Sequence, residues 1–497
     1  MNGHVADGRV DSASVTETGI ELCPDPGRVI VRFFVPGRED VGPGDSRAAS
    51  VIDRIMRLDE HDIALAVDDL DERFGTRHHG LHELFRTHAR LVTSRIDASV
   101  EISEARELFL GASFTHEYAI EGAALCNPSA VLHPHQHGDD ASFVMSVRCI
   151  GEGHISSIGF RTGTVTAAGV VTIDPPGDFL ATASATPGHL HRAVFHARLA
   201  ELGDDRDNAA FVLDGLPAQF DDAQLEGRIV ALAADVATRR RTATTITNLR
   251  DLARSSYSTT FEAPTALSER VLWPQSPAER HGMEDARFVR FVDDAGVATW
   301  YATYTAFDGT HISQHLLQTT DFTTFTASPM GGAAAIGKGL ALFPRRIGGR
   351  YAALSRSDRE TNSVTYSDDL RLWETSTTIQ SPDLAWEILQ LGNCGSPIET
   401  GAGWLVLTHG VGPMRTYAMS AILLDLEQPE RVLARCERPI LSPGPGRQDG
   451  YVPNVVYSCG GFAHGDVLVL PYALADQTIS VATLSIAQLL STMRPVA

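Results

Sequence analysis

The chain has 497 residues, 43% apolar and 21% charged, which is enough to bury a large core and excludes a globally disordered polypeptide. A formal net charge of −21 disfavours nucleic acid or an anionic membrane as a partner, and no run of about 18 apolar residues offers a transmembrane helix. Among the 41 Lys and Arg residues, only Lys338 is a lysine.

Residues 1–25 are polar, with no basic segment followed by an apolar stretch, and read as a mobile tail rather than a secretory signal. The six cysteines are scattered, with no C-x-x-C, which suits reduced thiols in the cytoplasm. Arg28 to Val35 alternates as a strand. Apolar positions then recur at helical spacing over 47–72 (Val51, Ile52, Ile55, Met56) and 80–110 (Leu81, Leu84, Phe85, Ala89, Leu91), so residues 26–112 are expected to form a strand plus a helical module.

From about residue 113 short apolar runs alternate with Gly, Asp and Pro turns, and one pattern recurs five times. A Pro-containing or acidic signature leads into a strand that ends in a polar or aromatic residue. Asn127-Pro128-Ser129 leads to Ser142–Arg148, and Glu284-Asp285-Ala286-Arg287 leads to Thr299–Tyr304. Lys338 with Leu342-Phe343-Pro344 leads to Tyr351–Arg356, Ser396-Pro397-Ile398-Glu399 to Trp404–His409, and Val452-Pro453-Asn454 to Val467–Tyr472. Five copies of a β-hairpin unit imply a mainly β chain, a five-bladed propeller over 113–490, whose repeat heads and ends converge on one pocket. A β-sandwich with an accessory sheet is the alternative. Residues 187–255 interrupt the pattern with helical periodicity and read as a helical insertion between blades one and two.

Glu284-Asp285 is the sharpest acidic pair, at a strand start beside Arg287; a carboxylate held there can serve as acid, base or sugar ligand, whereas an exposed turn would carry the same pair for no chemical reason. Glu399 heads the fourth copy and could supply a second carboxylate for inverting glycoside chemistry, or lie at a rim. Lys338, Arg356 and Arg148 are cations at repeat ends, suited to phosphate or carboxylate and equally to structural roles. His409 ends an apolar run and is either a core histidine or a pocket group. Tyr304 ends the second copy. His133, His135 and His137 do not make a usual zinc set, and Asn393-Cys394-Gly395 has no partnering His, so neither metal nor thiol catalysis is expected.

The segments CNPSAVLHP, GMEDARFVR, YATYTAFDG, GKGLALFPRRIGGRYAALSR, SPIETGAGWLVLTHGV and GYVPNVVYSCG with LPYALADQTISVA resemble glycoside hydrolase family 130, the β-mannoside phosphorylases and mannosidases. The resemblance spans roughly 113–485 apart from the insertion, and the N-terminal helices resemble a longer bacterial branch. It implies a five-bladed propeller and an inverting reaction with no metal or cofactor beyond phosphate as co-substrate. Asp285 matches the general acid, whose proton is relayed through a mannose hydroxyl. Asn127, Arg148 and Asp476 match residues that hold mannose, with Glu284 and Tyr304 as further sugar contacts. Lys338 and Arg356 match phosphate-binding cations, with His409 beside them.

Two departures stand out. The usual Glu-Asp-Pro-Arg reads Glu-Asp-Ala-Arg, which loses stiffness but keeps the acid. Glu399 occupies a place where several phosphorylases have a cation, so it would repel phosphate and could activate water instead. The leading expectation is therefore an inverting phosphorylase that converts a β-mannoside and phosphate to mannose 1-phosphate. The alternatives are an inverting β-mannosidase with Glu399 as base and a non-catalytic carbohydrate-binding propeller. The expected partners are a small carbohydrate and phosphate; the apolar faces of the helical decorations suggest a homo-oligomer.

Overall fold

A computed structural model describes residues 15–36, 47–97, 99–136, 138–234, 239, 241–262 and 265–496. The chain is mainly β with several helices, and it divides into two compact units. The smaller comprises Asp25–Gly122 and Gly177–Ala181; the larger holds the remainder.

In the smaller unit, strand Val29–Phe33 pairs antiparallel with Thr115–Ala119. Between them run helices Arg47–Arg57, Glu60–Phe74, Leu81–Val92 and Glu104–Ser113. Asp59 and Ser103 start two of these by accepting from the backbone N–H of His61 and Arg106, which satisfies amides that a first helical turn leaves free. Ala48, Ile52, Ile55, Ala89, Val92, Leu110 and Phe114 form one core. Gly111 is needed there: a Cβ would sit 1.8 Å from the Phe85 carbonyl oxygen.

In the larger unit the strands pair almost wholly antiparallel, hairpin by hairpin. Strands Ala341–Leu342, Tyr351–Ser355, Asn362–Ser367 and Ser376–Gln380 form a four-stranded sheet. A six-stranded sheet is built around Gly403–Gly412 and Thr416–Leu424, and a five-stranded one around Val467–Leu474 and Thr478–Ser485. The first two sequence copies do not form separate sheets. Ala124–Leu132, Ala141–Ile150 and Ser156–Val165 share one 12-stranded sheet with Gly282–Val292, Ala298–Phe307, Ile312–Thr319 and Thr324–Pro329. The join is a parallel bridge between Gly282 and Ser156. Glycine allows it, because a Cβ on Gly282, whose φ is +145°, would lie 2.8 Å from the Ser156 backbone nitrogen.

The tail expected over 1–25 is corrected in part. Thr16–Leu22 is a strand paired antiparallel with Thr478–Ser485, and the Thr18 hydroxyl donates to the Val481 carbonyl. Its amides and carbonyls find partners on the sheet edge, which a polar sequence without a strong apolar pattern did not disclose. The insertion consists of helices Arg192–Glu201, Arg206–Leu213, Asp222–Ala234 and Thr242–Arg254. It has its own core, including Phe195, Leu199, Leu213, Phe220, Leu225, Ile229 and Leu249.

Candidate active site

The same irregularity places two polar groups. On Ala124–Leu132 the register with the neighbouring strand slips between Cys126 and Ser129, and on Gly282–Val292 it slips between Glu284 and Arg287. Each slip inserts one extra residue, a β-bulge that turns a side chain out of the ladder. Asn127 and Asp285 sit in these bulges with φ of +46° and +55°. Asp476, in the turn between Val467–Leu474 and Thr478–Ser485, has φ +48°. Non-glycine residues rarely hold such angles unless their surroundings impose them.

All three line one cavity of about 580 Å³, together with Arg148, Lys338, Arg356, Arg359, Gln390, His409, Arg415, Tyr417 and Tyr457. That volume suits a small ligand. The lining carries five cations against two carboxylates, the reverse of the balance of the chain as a whole.

Asp285 is buried, 3.4 Å from Arg148 Nη1 and 3.8 Å from Lys338 Nζ. Arg287, also buried, donates to the Asp285 carbonyl at 2.8 Å and to the Tyr457 hydroxyl at 2.8 Å. Burial alone would raise the Asp285 pKa, but Lys338, Arg148 and Arg287 outweigh it and hold the carboxyl below its ordinary value. Glu284 bridges Arg148 and Lys338, at 2.6 Å from each. Arg148 also donates from Nε to the Ser156 hydroxyl and contacts Asn127 Oδ1 at 3.5 Å.

On another side of the cavity His409 Nδ1 lies 3.2 Å from the Asn393 carbonyl, and Nε2 lies 3.3 Å from Arg356 Nη1. A carbonyl only accepts and a guanidinium only donates. These partners therefore assign the proton to Nδ1 and leave Nε2 as acceptor. Burial, then Arg356 and Arg287, push the His409 pKa well below its usual value, so the ring is neutral. Among the described residues no carboxylate lies within 4.0 Å of Arg356, Arg359 or Arg415. Three guanidinium groups facing one cavity without a counterion make a site for an anion.

Three expected site residues are not among the lining residues: Glu284, which is tied to the cavity through its ion pairs with Arg148 and Lys338, and two that lie elsewhere. Glu399 is not among the lining residues; its carboxylate is half exposed and held by Arg345 through both oxygens, at 2.9–3.2 Å. The reason is the strand register. The fourth copy's first strand is split into Gln390–Asn393, which pairs opposite His409, and Ile398–Thr400, which pairs with Gly403–Leu405. Glu399 is opposite Trp404, five residues from His409 and therefore roughly 16 Å along the strand. Tyr304 is fully buried and also absent from the lining; its hydroxyl donates to Glu279, which also accepts from Tyr257.

The residues missed are Gln390, Arg359, Arg415, Tyr417 and Tyr457, with Thr310, Ile312 and Val455 completing the lining. Tyr457 stood in a conspicuous segment. Arg359 and Arg415 lie in turns with φ of +69° and +54°, an unusual conformation for arginine that sequence periodicity does not report. His137 lies outside the described residues, and among those described no group of three His, Cys, Asp or Glu could hold a metal ion. Burial pushes the Cys394 thiol up to about 12, which leaves it unreactive.

A family model described as beta-1,4-mannooligosaccharide phosphorylase, of glycoside hydrolase family 130, matches residues 237–495. Asn127 and Arg148 precede that span, so their place in the site rests on the geometry above. A 1,2-beta-oligomannan phosphorylase of Thermoanaerobacter sp. is 33% identical over 222 residues, 44% of this chain and 73% of that protein. A beta-1,2-mannobiose phosphorylase of Listeria innocua is 30% identical over 236 residues, covering 44% of this chain and 62% of the relative. A beta-1,4-mannooligosaccharide phosphorylase of Ruminococcus albus is 31% identical over 206 residues, 39% of this chain and 60% of the relative. Among solved structures, beta-1,2-mannobiose phosphorylase from Listeria innocua, in complex with beta-1,2-mannobiose, aligns with a TM-score of 0.44 and 22% identity over 76% of this chain and 92% of that one.

Proposed function

The chain belongs to glycoside hydrolase family 130, and we propose that it is an inverting phosphorylase that cleaves β-mannosides with phosphate to give mannose 1-phosphate. One observation carries the reading: a single cavity holds a buried carboxyl, Asp285, and a guanidinium, Arg356, that no carboxylate among the described residues neutralises. The names of the relatives, all phosphorylases of mannosides, support the same reaction.

Asn127, Arg148 and Asp476 hold the mannose, and Glu284 acts on the sugar through Arg148. The bidentate grip of Glu284 on Arg148 and Lys338 spends much of their charge, so phosphate draws chiefly on Arg356, with Lys338 reaching in from the Asp285 side. Neutral His409 adds no charge; by accepting from Arg356 it fixes the direction of the guanidinium. A phosphate oxygen attacks the anomeric carbon from the face opposite the leaving sugar, and Asp285 supplies the proton that the leaving oxygen needs, through a mannose hydroxyl. Phosphate beside the cations opposes their pull on Asp285 and raises its pKa toward that of a working acid.

Hydrolysis with Glu399 as base is less well supported, because Glu399 is outside the cavity and tied to Arg345. For the architecture, we favour five repeat units around the cavity; side chains reach it from the 12-, four-, six- and five-stranded sheets or the turns joining their strands. A catalytic domain over 113–490 and a cytoplasmic location complete the proposal. The test is incubation with β-1,2-, β-1,3- and β-1,4-linked mannobiose, with and without phosphate. Mannose 1-phosphate should form only when phosphate is present; turnover indifferent to phosphate would overturn the reading.

A further inference from the structure

The ligand-free pocket raises a question of where its proton resides. Asp285 is a poor store, since Arg148 and Lys338 face its carboxylate at 3.4 and 3.8 Å. Asp476 lines the same cavity in a different setting. Among the described residues no cation lies within 4.0 Å of it, and its Oδ1 is buried without a hydrogen-bond partner. An ionised carboxylate with an unpartnered buried oxygen is costly, whereas the protonated form loses less.

The groups that face Asp476 are Cys126 on Ala124–Leu132, Arg148 on Ala141–Ile150, Asp285 on Gly282–Val292, and Lys338, Arg415 and Tyr451 from turns. Burial has the largest effect and Asp285 adds to it; Arg148, Arg415 and Lys338 oppose them, and the balance raises the carboxyl to about 6. Two carboxyls in one cavity whose surroundings push them in opposite directions divide the proton between them.

We infer that Asp476 is the proton store of the resting pocket: the carboxyl without an ion pair keeps the proton while Asp285 is ionised, and releases it when the sugar bridges the two. The inference rests on the phosphorylase reading. A hydroxyl of bound mannose takes the Asp476 proton as it gives its own to Asp285, so the sugar stays neutral. A hydrogenphosphate oxygen then bonds to the anomeric carbon as the bond to the leaving oxygen breaks, and that oxygen receives the Asp285 proton through the same hydroxyl. The new mannose 1-phosphate still carries the proton that hydrogenphosphate brought. Passing it to Asp476 restores the starting state with no net proton released.

Infrared difference spectra of the ligand-free protein at about pH 5 test the assignment without substrate, between the two carboxyl pKa values. Subtracting Asp476→Asn from wild type should leave a protonated-carboxyl C=O band, and subtracting Asp285→Asn should leave only carboxylate bands. The opposite assignment overturns the inference. Asp476→Ser gives the same reading should the Asn variant fail to fold.

Kinetics add a second readout. Wild-type kcat/KM should fall about tenfold per pH unit above the Asp476 pKa. In Asp476→Asn that limb should vanish, with kcat reduced more than KM is raised. A variant that keeps the limb and changes KM alone makes Asp476 only a sugar contact, and the inference fails. If wild type cleaves no mannoside in phosphate, the phosphorylase reading fails instead, and the infrared result stands by itself.

Discussion

Arg356 is the residue on which phosphate affinity should depend most, because Lys338 and Arg148 already face Glu284 and Asp285. A charge-assisted hydrogen bond contributes about 1.5–3 kcal/mol. Arg356→Ala should therefore raise KM for phosphate by roughly 10- to 100-fold and leave KM for the mannoside nearly unchanged, as initial rates at varied phosphate would show. Glu399→Gln is expected to do far less. Its partner Arg345 is on the surface, and exposed ion pairs contribute at most about 1 kcal/mol. Phosphorolysis by Glu399→Gln should stay within about twofold of wild type, and a loss of activity of a hundredfold or more would restore Glu399 to the site.

Strand geometry explains what the sequence disclosed and what it hid. Repeat heads and ends at Asn127, Arg148, Asp285, Lys338, Arg356 and His409 line one cavity, because a bulge or a strand end repeats its position whenever the hairpin does. The rule failed at Glu399, where the strand it heads is split and its second piece pairs at the far end. It failed at Tyr304, whose hydroxyl is taken by Glu279. Gln390, Arg359 and Arg415 had no repeat position to mark them, and the fusion of the first two copies depended on one glycine contact. Gly392 tests the element directly. It lies opposite His409, and a Cβ would stand 2.4 Å from Arg356 Cδ and 2.9 Å from His409 Cε1. Gly392→Ala should displace both side chains and raise the phosphate KM about tenfold or more, with a mannoside KM close to wild type in the same assays.

At the scale of the whole chain, the net charge of −21 means that losing protons generally adds repulsion, yet one buried carboxyl gives a separable pH dependence. Glu387, on the segment between Ser376–Gln380 and Gln390–Asn393, packs behind Gly410, where a Cβ would lie 2.4 Å from its own. Neither of its carboxyl oxygens has a hydrogen-bond partner by distance and angle among the described residues, and burial first, then the Asp383 side chain, raise the pKa to about 7. Asp383 is itself paired with Arg435 at 2.9 Å, whereas Glu387 has no cation beside it among the described residues and is the carboxyl pushed up. A raised carboxyl pKa means that the folded state holds a proton the unfolded state has already lost. Stability therefore falls as pH rises from the unfolded value near 4.5 to about 7, and is constant with respect to this group above that. With some relaxation around the site, the loss is on the order of 2 kcal/mol. Glu387→Gln removes the titration and keeps the shape. Between about pH 5 and about pH 8 its melting temperature should fall less than that of wild type, and the two curves should converge toward acid. Parallel curves would mean that Glu387 is ionised throughout, and that the surface charge alone sets the pH response of the fold.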